Sequence, residues 1–213
     1  MDLVAFDFDG TLSDSEMTVL LGEQCNAADE MAQITERAMN DEIEYATSLR
    51  ERVALLEGLS MDATADAFEQ VRLRPDAASV IDGLRADGVT VAILTGGFER
   101  GVEAALSGAQ TSVDTIVANR LVAEDGELTG SVAGPLIEGT KDDALESIAT
   151  EQGIELSDVV AVGDGANDLP MLEAAGLAVG FDPKPAVEPA CSTTVDSMAA
   201  LDSVLTERGV RSV

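Results

Sequence analysis

The chain has 213 residues, 46 % of them hydrophobic, which suits one domain of ordinary size with a real core. Its 12 Lys and Arg against 41 Asp and Glu give a net charge of −29, which repels nucleic acid and anionic membrane and argues against both as partners. With no histidine, no CxxC and only Cys25 and Cys191, neither a disulfide framework nor a zinc site is expected, and both cysteines are read as small core side chains.

The first apolar run, Leu3 to Phe8, reads as a buried strand that carries Asp7 and Asp9 at its end, two residues apart and so able to point the same way. From Glu16 to Arg72 no strand is evident. "MAQITERAM", "YATSLRERVALLEGL" and "ATADAFEQV" instead repeat at the helical period, so residues 14–75 are read as a small helical cap inserted into a core of residues 1–13 and 76–213. A helix from Asp76 to Ala86, stopped at Gly88, leads to a strand from Val89 to Leu94 that runs into Thr95-Gly96-Gly97. Next come a helix from Arg100 to Leu106, a strand from Thr115 to Ala118, and "LVAEDGELTG", where Asp125-Gly126 between alternating runs signals a hairpin. A helix from Lys141 to Glu151, a strand from Val159 to Val162, the loop Gly163-Asp164-Gly165-Ala166-Asn167-Asp168, a helix from Asp168 to Ala175 and a strand from Leu177 to Phe181 complete the pattern. Such alternation predicts an α/β fold, a doubly wound, mostly parallel sheet with helices on both faces.

Ligands of such sheets bind beyond the carboxyl ends of the strands, which directs attention to the polar residues there. An Asp-Gly turn accounts for Asp9-Gly10 but leaves Asp7 in apolar surroundings unexplained. Two close carboxylates are tolerable when a cation binds them or one is protonated, and a metal is the simpler choice. Thr95, Gly96 and Gly97 offer a hydroxyl and backbone N–H groups to an anion. The chain has only two lysines, and Lys141, at a helix start, is the candidate phosphate ligand; Lys184 is the other. The loop at 163–168 lacks the third glycine of a dinucleotide fingerprint, and its Asp164 and Asp168 would repel a pyrophosphate, whereas Asp164 with Asp7 offers oxygen ligands to Mg²⁺.

Asp7-Phe8-Asp9-Gly10-Thr11, Thr95, Lys141 and Gly163-Asp164-Gly165-Ala166-Asn167-Asp168, in that order, resemble the four motifs of the haloacid dehalogenase superfamily. Within it, the insert after the first strand and "GDGAND" resemble the phosphoserine phosphatase family, and the likeness covers nearly the whole chain. It implies a nucleophilic Asp7 that forms an aspartyl-phosphate, and an Asp9 that protonates the leaving oxygen and then activates water. It places Mg²⁺ on Asp7, Asp164 and the backbone carbonyl of Asp9, and phosphoryl oxygens on Thr95, Gly96, Gly97 and Lys141. Asn167 is implied as a substrate contact and Asp168 as a support for Lys141. The family further implies that Glu16 takes the substrate ammonium and Arg52 its carboxylate, with Tyr45 as the aromatic lining of the pocket.

Two positions depart from the family's usual residues, Gly10 and Thr95, where serine is common. From the residues alone, Glu16 can equally cap a helix, and Arg50 or Arg52 can pair with Glu51 or Glu57 on a solvated face. The expected activity is Mg²⁺-dependent hydrolysis of O-phospho-L-serine, the last step of serine biosynthesis. The alternatives are another small phosphomonoester, phosphoryl transfer to an alcohol such as homoserine, and a non-catalytic receiver-like module. With no basic-then-apolar leader and no apolar window of about 18 residues, a cytoplasmic monomer or homodimer is expected. The first strand begins at residue 3, so no amino-terminal regulatory domain is expected, and the acidic surface is read as adaptation to high salt.

Overall fold

The structure is a computed structural model that describes residues 1–39 and 42–212. Seven strands form one sheet in the order β4-β3-β2-β1-β5-β6-β7. They are β1 (Leu3–Phe6), β2 (Thr90–Phe98), β3 (Thr115–Glu124), β4 (Glu127–Ala133), β5 (Val159–Gly163), β6 (Leu177–Phe181) and β7 (Thr193–Val195). All neighbours are parallel except β3 and β4, the predicted hairpin, whose Asp125 and Gly126 both take positive φ (50° and 88°) as a two-residue turn requires.

The central strand explains why the sheet is covered on both sides. β1 is fully buried; Val4 and Phe6 join one apolar cluster, while Leu3 and Ala5 join another on the opposite face. Helices α5 (Ala77–Ala86) and α9 (Met198–Glu207) cover the first face, and α7 (Lys141–Gln152) and α8 (Leu169–Ala174) cover the second. Helix α6 (Glu99–Gly108) follows β2 directly and packs on β2 and β3. Between β1 and α5 lie four helices, α1 (Met17–Gln24), α2 (Ala28–Met39), α3 (Tyr45–Ala54) and α4 (Met61–Phe68). Their apolar residues Met17, Leu21, Leu49 and Phe68 are continuous with the cluster that includes Phe98 of β2, so the insert is seated on the sheet through a shared core.

Several boundaries differ from the sequence reading. β1 stops at Phe6 rather than Phe8, because after Asp7 the chain turns tightly: the N–H groups of Thr11 and Ser13 both donate to the Phe8 carbonyl. β2 runs on through Thr95-Gly96-Gly97 to Phe98, with a break in register after Leu94. Asp168 ends a short 3-10 turn from Ala166 instead of opening α8. β7 and α9 were not expected; α9 nonetheless has a capping Ser197, whose hydroxyl accepts the Ala200 N–H. The cysteines are half-buried rather than core residues, since Cys25 ends α1 with its thiol directed at backbone carbonyls and Cys191 sits at the edge of its cluster.

Candidate active site

The carboxyl ends of β1, β2 and β5 and the first residue of α7 converge on one point. Asp7 leaves β1 with its N–H still bonded to the Val162 carbonyl of β5 (2.8 Å), so the two loops that carry Asp7 and Asp164 are joined by the sheet itself. Lys141 reaches between them. Its Nζ lies 2.5 Å from Asp7 Oδ1 and 2.5 Å from Asp168 Oδ1, and the three residues are 4 %, 3 % and 0 % exposed. The other Asp168 oxygen accepts the N–H groups of Asp164 and Gly165, both at 2.9 Å. Asp168 therefore ties Lys141 to the β5 loop.

Charge in this group is unbalanced toward the carboxylates. Burial, then the nearby Asp168, raise Asp7 above the ordinary carboxylate range despite Lys141. Burial, Glu16 and Asp7 raise Asp9 well above it, and Asp9 Oδ1 is a buried atom without a hydrogen-bond partner among the described residues. Burial also raises Asp164, against the pull of Lys184. Burial works against the charge of Lys141, but Asp168 and Asp7 outweigh it and raise its pKa.

Carboxylate oxygens of Asp7, Asp164 and Asp168 lie within 4.8 Å of one another. Asp7 and Asp164 are the two side chains of the expected set, whose third ligand is the Asp9 backbone carbonyl, and both oxygens of the added Asp168 already accept hydrogen bonds. The oxygens free to face a cation are one each on Asp7 and Asp164, and crowded carboxylates with raised affinity for protons are what a hard divalent cation relieves. The donor set thus fits a divalent metal. Gly10 belongs to this arrangement, for its φ is 92° and a side-chain carbon there would lie 2.7 Å from an Asp164 oxygen.

On β2, the Thr95 hydroxyl accepts the Gly97 N–H at 2.9 Å, leaving its own proton to donate. Sequence reasoning missed the residue that holds this segment. Asn119 on β3, fully buried, donates from Nδ2 to the Gly96 carbonyl (3.0 Å) and accepts the Leu136 N–H at Oδ1 (3.1 Å). Lys184 was also passed over, although it follows β6 at the same end of the sheet. Its N–H donates to the Asp164 carbonyl (2.9 Å) and its Nζ lies 3.2 Å from Asp164 Oδ2, so both lysines of the chain contact the acidic group.

The insert supplies the far wall. Arg52 donates to the Ser48 carbonyl (3.3 Å) and Thr18 Oγ1 (3.4 Å) and has no carboxylate partner among the described residues. Burial lowers its pKa, opposed by the charges of Tyr45, Glu16 and Asp9, which are near enough to act on it. The solvated pairings occur elsewhere: Arg50 bonds Glu138 and Arg37 bonds Glu51. Glu16 stands at the N-cap of α1 without making a cap hydrogen bond. Tyr45 reaches across from α3 to Gly96, while Asn167 is exposed at the rim, its Oδ1 beside Gly165.

Residues 4–173 match the haloacid dehalogenase-like hydrolase family. A phosphoserine phosphatase of Halobacterium salinarum is 54 % identical over 210 residues, 99 % of this chain and all of the relative. Among solved structures, a substrate-bound phosphoserine phosphatase superposes with a TM-score of 0.87 at 34 % identity, covering 97 % of each chain. A phosphoserine phosphatase holding an analogue of its phospho-aspartyl intermediate superposes with a TM-score of 0.85 at 36 % identity, covering 92 % of this chain and 93 % of the other.

Proposed function

The chain belongs to the haloacid dehalogenase-like hydrolases and, within them, to the phosphoserine phosphatase family, and on that premise we propose that it hydrolyses O-phospho-L-serine to L-serine and phosphate. A carboxylate oxygen of Asp7 attacks phosphorus; the Asp7 O–P bond forms as the bond to the serine oxygen breaks. Asp9, whose pKa is raised by desolvation and by the neighbouring Glu16 and Asp7, gives a proton to the departing oxygen. It then takes a proton from the water that attacks the aspartyl-phosphate, and phosphate leaves with Asp7 restored. Lys141 and the Thr95–Gly97 segment hold the phosphoryl oxygens as charge spreads over them. Asp7 and Asp164 would hold Mg²⁺, which supplies Lewis-acid neutralisation of the phosphoryl charge when bound.

The observation that carries the substrate assignment is Arg52, a desolvated cation without a carboxylate partner among the described residues, within electrostatic reach of Glu16 and Asp9. An amino acid presents the complement, a carboxylate for Arg52 and an ammonium for Glu16. We read residues 14–75 as the cap that brings this pair to the core, the reaction as the closing step of serine biosynthesis, and the charge of −29 as adaptation to high salt. The test is phosphate release in molar KCl with Mg²⁺ from L-phosphoserine, phosphothreonine, phosphohomoserine, glycerol phosphate and sugar phosphates, with Asp7→Asn as the blank. Strong preference for L-phosphoserine is expected. A displaced preference, or phosphate exchange onto added alcohols in place of hydrolysis, overturns the assignment.

A further inference from the structure

Tyr45 is the only tyrosine of a chain that has no tryptophan. Its hydroxyl occupies an unusual position. A side-chain carbon built on Gly96 would lie 1.9 Å from Tyr45 Oη and 3.0 Å from Cζ, and the third neighbour, at 3.8 Å, is Cε1 of the same ring. Gly96 does not have a positive φ, so its backbone does not require glycine. The space a side chain would take is filled by the phenol. Asn119 pins the Gly96 carbonyl, and next to it the Thr95 hydroxyl accepts the Gly97 N–H and keeps its own proton to donate. Tyr45 is 39 % exposed and its Oη has no hydrogen-bond partner among the described residues, so its proton is available; desolvation raises the pKa of the phenol.

Resting on the phosphatase reading, we propose that the Tyr45 hydroxyl donates a hydrogen bond to a non-bridging phosphoryl oxygen held at Thr95–Gly97, and that Gly96 is glycine to seat it. Tyr45 then does more than line the pocket with an aromatic face. Because it stands at the start of α3, the donor reaches the phosphate only while the insert sits on the sheet, so the insert takes part in phosphate binding as well as in recognition of the amino-acid end.

Tyr45→Phe removes only the oxygen. A hydrogen bond to a charged acceptor predicts a fall in kcat/KM for O-phospho-L-serine of roughly 10- to 100-fold, with inhibition by inorganic phosphate weakened by a similar factor and an unchanged unfolding midpoint. Gly96→Ala, which takes the seat of the phenol, is expected to cause a comparable loss in the wild type and a much smaller additional loss in Tyr45→Phe. The emission of Tyr45, the sole fluorophore of its kind, is expected to change on titration with inorganic phosphate in the presence of Mg²⁺. Kinetic constants and phosphate inhibition of Tyr45→Phe within about twofold of wild type, or an emission unmoved by phosphate at inhibiting concentrations, overturn the proposal. The phosphate titration needs no turnover, so a response there with no hydrolysis of phosphoserine would reject the substrate assignment while retaining the Tyr45 contact.

Discussion

Replacing Lys141 with methionine is the perturbation whose consequences the structure defines most fully. The change leaves Asp7 and Asp168, at 3 % and 0 % exposure, without the ammonium that lies 2.5 Å from each. Removing one partner of a buried ion pair costs about 3–5 kcal/mol. For a chain of this length that corresponds to a fall in unfolding midpoint of roughly 6–20 °C, the lower end applying where Asp7 takes up a proton in compensation. Turnover should suffer separately, by at least about 10²–10³, the effect of removing one donor aimed at developing charge. Lys184→Met is the matched comparison: that side chain is 53 % exposed, its one ion pair among the described residues is with Asp164, and solvated pairs contribute about 0–1 kcal/mol. The assays are thermal unfolding and steady-state phosphate release of both variants in molar KCl. Equal losses in the two variants, or a Lys141→Met protein with near-native midpoint and turnover, would refute the reasoning.

Other consequences are open to test. Arg52→Met should raise KM for O-phospho-L-serine by roughly 10- to 100-fold while leaving esters without a carboxylate little affected, as kinetics on phosphoserine and glycerol phosphate will show. The charge of −29 should make the unfolding midpoint rise by roughly 5 °C or more between dilute and molar KCl; a melt insensitive to salt would remove the high-salt reading. Asp114 is opposed by burial, yet hydrogen bonds from Arg85 and the Val91 N–H, with the charge of Arg85, hold its pKa below the ordinary 3.8. A carboxyl depressed on folding stabilises above its unfolded pKa, so the stability gap between wild type and Asp114→Asn should be complete near neutrality. It should close as pH falls below 3.8, followed by chemical denaturation across the acid range.

The legible parts of the sequence were those governed by short-range rules. Fully buried parallel strands show as unbroken apolar runs, and the residues after them, Asp7, Thr95 and Asp164, are marked by position alone. The hairpin was legible because positive φ at two successive positions selects Asp125-Gly126. What escaped depends on contacts that the local pattern does not encode. Asn119 meets Gly96 across 23 residues, and nothing about an asparagine on β3 announces that its amide faces a carbonyl of β2. The three residues of β7 are too few to display a period. Lys184 was within reach, since it follows a strand at the same end of the sheet as Asp164, but an isolated lysine is ordinarily solvated. Glu16 and Arg52 were ambiguous for the opposite reason: a helix N-cap for the one and nearby glutamates for the other offered ordinary roles in sequence, and only the fold directs Arg37 and Arg50 to the carboxylates at Glu51 and Glu138.

Covalent chemistry at Asp7 is the central claim, and rapid acid quench during turnover of phosphate-labelled O-phospho-L-serine tests it most directly. One phosphoryl group per chain is expected, recovered on the peptide that contains Asp7, at higher occupancy in Asp9→Asn if the second step is the more impaired. Turnover without label at Asp7, or label on another residue, would contradict it.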